Sequence, residues 1–317
     1  MPYYLVGDLI KKLRTQKGIS LEDLSDGILD KGNLSRIESG MQVPQKDKLD
    51  SLLQRLGIDT QETCEYYLNE REYEIASKCD LLKSLIANSK NSEADILLEE
   101  LAKQPEFVEA TSDGKNDEAK KQIKKQFLLS CRAAMMVNLE KDNEEIRKIT
   151  VQALKITIPT YLDKYIPEYY LSDQEARLIN ILAITYSEEN LEKTIKLLED
   201  LKESLDSKRV DEKQKSRILT LILYNLSKYY SLAKKYLEAV KICNYGMNIC
   251  KETGIYTNFP GIIYNKAYCL FELGYKGEYE HLIYQAYYMF DAMERDKEKD
   301  IIKNYAKEHM GIAINEK

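Results

Sequence analysis

The chain has 317 residues, 44% hydrophobic and 32% charged, a balance that excludes a disordered polymer and exceeds what one small core needs. Glycine (13) and proline (6) are scarce and helix formers dominate, which argues against a sandwich or barrel and for an all-α chain. The net charge of −6 is uneven: residues 1–58 hold nine Lys/Arg against eight Asp/Glu, so the rest carries −7 and would repel a polyanion.

The first sixty residues predict a compact helical bundle. Val6, Leu9, Ile10 and Leu13 recur at the spacing of one helix face, and Gly18 ends that helix. Ser20 is an N-cap for a short helix over Leu21–Asp26, and Gly27-Ile28 makes a tight turn. Asp30 caps the next helix, Lys31–Ser39, which buries Leu34 and Ile37 and stops at Gly40. After Pro44 a fourth helix, Lys46–Leu56, buries Leu49, Leu52, Leu53 and Leu56. Short helices joined by a glycine-containing turn match a helix-turn-helix.

A helix near 61–68 is expected to link this part to the rest, giving domains at 1–60, 61–69 and 70–317. Further helices are predicted near 70–88, 91–103, 117–140, 142–158, 173–187, 190–206, 211–233, 236–253, 258–273, 279–294 and 297–313, with a mobile loop from Gln104 to Asn116. Internal repetition is visible. Asn225-Leu226-Ser227-x-x-Tyr230 with Ala239, Cys243 and Gly246 is echoed by Asn265-Lys266-Ala267-x-x-Leu270 with Tyr279, Ile283 and Ala286, and more weakly by Asn180, Ala183 and Tyr186. The period of 40–45 residues exceeds that of a standard tetratricopeptide (TPR) unit, but the alternation of large and small residues is the same. Such pairs stack into a right-handed solenoid with a concave groove lined by the first helix of each pair.

Chemistry is confined to binding residues. Six cysteines form no CxxC pair and only two histidines, His281 and His309, are present, so no metal site, cofactor or catalytic constellation is expected and the chain reads as a non-enzyme. No apolar run approaches the ~20 residues of a membrane span, and the N-terminus has no secretory pattern, which predicts a cytoplasmic protein without a membrane partner. On the second helix of the turn pair, Lys31, Gly32, Asn33 and Arg36 face outward, where Arg and Lys match guanine and Asn matches adenine. Lys12, Arg14 and Lys17 are candidate phosphate contacts. Asn180, Asn225 and Asn265 fall at a similar register in first helices, where side-chain amides could grip an extended peptide backbone. Arg177 and Lys228, each one turn from an asparagine, are candidates for a ligand carboxylate, or for ordinary surface ion pairs.

Gly18-Ile19-Ser20, Leu24-Ser25-x-Gly27-Ile28, Leu34-Ser35-Arg36-Ile37-Glu38-Ser39-Gly40 and Pro44 resemble the Xre/Cro-type helix-turn-helix pattern, with departures at Leu21 and Gln45. That resemblance assigns Ser35 to a DNA phosphate. Joined to TPR-like pairs, it resembles the RNPP family of peptide-responsive regulators of Gram-positive bacteria, nearest the PlcR and Rgg branches. The resemblance implies a homodimer on double-stranded operator DNA, switched by a short signalling peptide on the concave face. It maps the family's groove asparagines onto Asn180 and Asn225. The alternative is a DNA-binding regulator whose repeats hold a partner protein or a non-peptide metabolite.

Overall fold

The computed structural model describes residues 4–57, 66–67, 70–108, 115–161, 165–207, 212–275 and 277–314. It is helical apart from two two-residue strands, and it divides into two compact units, Met1–Ser84 and Leu85–Lys317.

The first unit holds β1 (Tyr4–Leu5), α1 (Val6–Gln16), α2 (Leu21–Ser25), α3 (Lys31–Glu38), α4 (Lys46–Arg55), β2 (Tyr66–Tyr67) and the start of α5 (Glu70–Ala87). Its core is Val6, Leu9, Ile10, Leu24, Leu34, Ile37, Leu49, Leu52, Leu53 and Leu56, with the expected Leu13 only partly buried against it. The expected linker helix is corrected where it is described. Tyr66-Tyr67 is extended and pairs in parallel with Tyr4-Leu5. Two adjacent tyrosines favour a strand, and a partner strand overrides the helical reading. The remainder of 61–69 lies outside the described residues. The boundary between units falls at Ser84/Leu85, inside α5, whereas the sequence reading put it at 60–70. No glycine or proline interrupts 70–87, so the helix passes through the boundary unbroken.

The second unit continues with α6 (Asn91–Ala102), α7 (Pro105–Val108), α8 (Lys115–Asn138), α9 (Asn143–Thr157), a 3-10 turn (Ile166–Glu168), α10 (Asp173–Ile184), α11 (Leu191–Ser207), α12 (Glu212–Leu232), α13 (Tyr236–Thr253), α14 (Phe259–Glu272), α15 (Glu280–Ala292) and α16 (Asp296–His309). Part of the expected loop is thus helical: Pro105 starts α7, where its fixed φ and missing N–H cost nothing. Residues 109–114 lie outside the described set. Consecutive helices pack as antiparallel pairs, α8 with α9, α10 with α11, α12 with α13 and α14 with α15. First helices also meet one another, α8 with α10, α10 with α12 and α12 with α14, whereas the second helices of neighbouring pairs scarcely touch. Close approach on one side and splaying on the other is a TPR-like curved stack with the first helices as its inner layer.

Five turns in this stack share one hydrogen-bond pattern. After the last turn of helix, the residue at Ser89, Glu140, Lys234, Gly274 or Glu294 takes a left-handed conformation. Each donates to a carbonyl three residues back, and its successor donates five back, as in Glu140 N to Val137 O (3.1 Å) and Lys141 N to Met136 O (3.0 Å). This is the Schellman closure. Only one of the five positions is glycine, so a search for glycine stops misses the others.

Candidate functional site

In the first unit, α3 is anchored from three sides. Its N-cap, Asp30, accepts from the Asn33 backbone N–H at 2.9 Å, and the Asn33 amide donates to the other carboxylate oxygen. Asn33, expected to read adenine, is therefore committed to closing its own helix. Arg14, expected at a phosphate, is also engaged within the bundle. Its guanidinium donates Nε and Nη2 to the two Glu38 oxygens at 2.6 and 2.8 Å and Nη1 to the Ile19 carbonyl at 3.1 Å. Glu38 is buried and Arg14 nearly so. The bidentate pair ties α1 to α3 and takes Arg14 away from phosphate. The third anchor is Gly7, where a Cβ would lie 2.2 Å from the Ile37 carbonyl oxygen, so α1 and α3 cross at backbone contact. Arg55 Nη1 meanwhile donates to the carbonyls of Leu24 (3.0 Å) and Asp26 (2.5 Å), closing the end of α2.

What remains outward on α3 is Lys31, Gly32, Ser35 and Arg36, all exposed. Lys31 reaches Glu22 at 3.5 Å in a solvent-exposed pair that a stronger anion can displace. Arg36 makes no ion pair among the described residues. Lys12 and Lys17 are exposed on and just beyond α1.

In the second unit the three asparagines are all buried, at 4% (Asn180), 6% (Asn225) and 8% (Asn265) exposure. Asn225 Nδ2 donates to Asn180 Oδ1 at 2.9 Å, bridging α12 to α10. No buried side-chain nitrogen or oxygen among the described residues lacks a hydrogen bond, so the Asn180 Nδ2 and the Asn225 Oδ1, which have no other protein partner, keep contact with solvent. Asn265 does a different job. Its Nδ2 donates to the Tyr224 carbonyl (3.1 Å) and to Ser227 Oγ (2.8 Å), stitching α14 to α12. Arg177 donates to Asp173 at 2.9 Å within α10, the surface ion-pair role.

Lys228 stands apart. It is exposed, yet the surrounding protein on a concave wall strips water from it, and desolvation lowers its ammonium pKa. Among the described residues no carboxylate pairs with it; its one close contact is the Tyr229 ring, 5.6 Å away. Between 215 and 231 the only exposed residues of α12 are Arg217 and Lys228. With Leu221 and Tyr224 they fall at i, i+4, i+7 and i+11, one stripe. Because α10 and α14 flank α12 and its paired helices lie behind, that stripe is its concave face. The sequence reading missed Arg217, although the same spacing would have found it from Lys228. Towards the C-terminal end, burial pushes the Tyr264 hydroxyl pKa up, and Tyr268 meets Tyr305 of α16 in a tilted ring contact at 5.6 Å. Behind α12, a cleft of about 530 Å³ opens between α11 and α13, but its acids are engaged: Glu199 with Tyr230, Asp206 with Lys202 and Tyr245.

The helix-turn-helix family model matches residues 10–62, which span α2, α3 and α4. No curated relative matches the chain by sequence. Solved structures match almost end to end, among them the following three. Bacillus thuringiensis PlcR, in complex with the peptide PapR7 and DNA, is 21% identical, with a TM-score of 0.66 and coverage of 94% of this chain and 99% of PlcR. ComR from S. thermophilus, in complex with DNA and its signalling peptide ComS, is 17% identical (TM-score 0.56; 94% and 97% covered). The SHP pheromone receptor Rgg2 of Streptococcus dysgalactiae is 14% identical (TM-score 0.54; 95% and 98% covered). The chain shares their fold. The all-α reading and its division of labour, a short helix-turn-helix followed by a long helical array, are therefore correct. No helix among the described residues is long and apolar enough to cross a membrane, and no group of His, Cys, Asp and Glu among them could hold a metal ion.

Proposed function

We propose that the chain is a cytoplasmic, non-enzymatic transcription regulator that binds operator DNA as a homodimer and is switched by a short signalling peptide in the groove of its helical array. The observation that carries this reading is the Asn180–Asn225 amide pair. Two buried amides on neighbouring inner helices are bonded to each other and leave one N–H donor group and one carbonyl acceptor towards solvent. That combination complements the N–H and C=O of an extended peptide and ignores its side chains. Asn265, whose Nδ2 is engaged between helices, belongs to the scaffold in this reading.

On the DNA side, α3 enters the major groove N-terminus first. Arg36 and Lys31 donate to guanine edges, while Ser35, Lys12 and Lys17 hold phosphates and Gly32 lets the backbone approach. PlcR and ComR, each solved with DNA and a peptide, support the pairing of the two roles. The peptide favours one curvature of the stack, and that difference in affinity sets the switch.

The test is calorimetric titration of the full chain with synthetic short peptides taken from small secreted reading frames beside its gene. Expected is binding that disappears in Asn225→Ala while circular dichroism stays unchanged. Absence of binding to every candidate, with operator binding intact, transfers the array to a protein or metabolite partner. In the same preparation Arg36→Ala should weaken operator binding by about tenfold or more and relax discrimination at one base pair.

A further inference from the structure

The groove face of α12 carries charge of one sign. Arg217 and Lys228 are its only exposed residues over 215–231, and neither has an ion-pair partner among the described residues. The part of the chain beyond residue 58 carries −7, and several of its cations have acidic partners: Arg177 with Asp173, Arg147 with Glu189, Lys202 with Asp206 and Lys299 with Asp291 and Asp296. A recessed ammonium without a counter-ion in an acidic body is a receptor for an anion, because the desolvation already imposed on it need not be imposed again when the ligand arrives.

Position narrows the anion further, on the reading that the Asn180–Asn225 pair grips a peptide backbone. An extended chain spanning from α12 to α10 turns one backbone edge to the two amides. Its side chains then project perpendicular to that edge, along the helix axes. Lys228 lies one turn along α12 from Asn225, where a ligand side chain on that side arrives.

We propose that the peptide carries an aspartate or glutamate, at or beside the residue gripped by the amide pair, whose side-chain carboxylate binds Lys228. The carboxylate accepts a charge-assisted hydrogen bond from the ammonium. Arg217, three turns back on the same stripe, draws anionic ligands to this face without touching that carboxylate.

The probe is a set of heptapeptide pools randomised over Gly, Ala, Leu, Ile and Phe with one fixed central residue, either Glu or Gln, each made as free acid and as C-terminal amide. Binding to the full-length protein is read by competition-free calorimetry. The expected result is that the Glu pools bind about 10- to 100-fold more tightly than the Gln pools, whether or not the C-terminus is amidated. Lys228→Met should erase the Glu preference and Lys228→Arg should keep most of it, whereas Asn225→Ala should weaken all four pools together. A Glu preference that survives Lys228→Met overturns the assignment. So does a preference for free acid over amide with none for Glu over Gln, which would hand Lys228 to the peptide C-terminus. Equal binding of all pools sinks the charge inference and leaves peptide sensing standing; no binding of any pool removes both.

Discussion

The two tightest helix crossings at a glycine among the described residues are not equivalent. At the α1–α3 crossing in the reader, Gly7 faces the Ile37 carbonyl, with 2.2 Å to a hypothetical Cβ. At the α12–α14 crossing in the array, Gly261 faces the Tyr224 ring, with 2.5 Å to Cε2. A backbone carbonyl held in a helix cannot step aside, whereas a ring can turn. The polar ties differ in the same sense. The first unit locks α1 to α3 with a bidentate ion pair, whereas the array joins α12 to α10 with one neutral amide bond from Asn225 and to α14 with neutral bonds from Asn265 to Tyr224 and Ser227. On the proposed function, the first unit would be a fixed shape for a fixed lattice of bases, and the array a set of joints that each cost less to rearrange.

Substitutions can break or sharpen this contrast. The largest loss should come from Glu38→Ala, which leaves Arg14 hemmed in without its carboxylate. We expect about 3 kcal/mol, measured by urea denaturation followed through loss of DNA binding, with Glu38→Gln intermediate. A change under 1 kcal/mol would make the pair a surface ornament. Gly7→Ala should cost nearly as much, about 2–3 kcal/mol, since the two helices must separate. Gly261→Ala should cost only about 1 kcal/mol and be relieved when combined with Tyr224→Leu, a non-additivity that a double-mutant cycle reads directly. If Gly261→Ala proves as damaging as Gly7→Ala, the array is as stiff as the reader and the contrast fails. The smallest effect has the opposite sign: Glu140→Gly removes a left-handed non-glycine residue at φ 52° and should stabilise the array by up to about 1 kcal/mol in thermal unfolding.

The buried thiols offer a check of another kind. Burial pushes Cys243 up to about 12 and Cys250 and Cys269 up to about 11. Their reactive thiolates are therefore scarce at neutral pH and become available only as pH rises towards those values. Labelling of Cys243, Cys250 and Cys269 by a thiol reagent at pH 7, read peptide by peptide, should be slow in the folded protein and fast in urea; fast labelling of these three when folded would mean the α13–α14 core opens often.

Much of this was legible in the sequence, because the signals are local or periodic. Asp30 and Gly40 bracket α3, and the leucine spacing of α4 names its buried face. The common register of Asn180 and Asn225 placed them on adjacent inner helices, where they meet. What escaped was decided by partners distant in the chain. Arg14 reads as a surface cation until Glu38, twenty-four residues later, folds against it. Asn33 reads as a base-contacting amide until its own N-cap claims it. Asn265 shares the asparagine register, but its Nδ2 is engaged by Ser227 and the Tyr224 carbonyl. The strand at Tyr66-Tyr67 exists only because Tyr4-Leu5 supplies its other half.

The bond between Asn225 and Asn180 has a sense. Asn225 donates and Asn180 accepts, so the free donor is left on α10 and the free acceptor on α12. In an extended chain the N–H and C=O of one residue point to the same edge, with the N–H nearer the N-terminus. A ligand satisfying both amides must therefore run from α12 towards α10. On the proposed function, the groove would distinguish a peptide from the same residues in reverse order through two amides that read only its backbone.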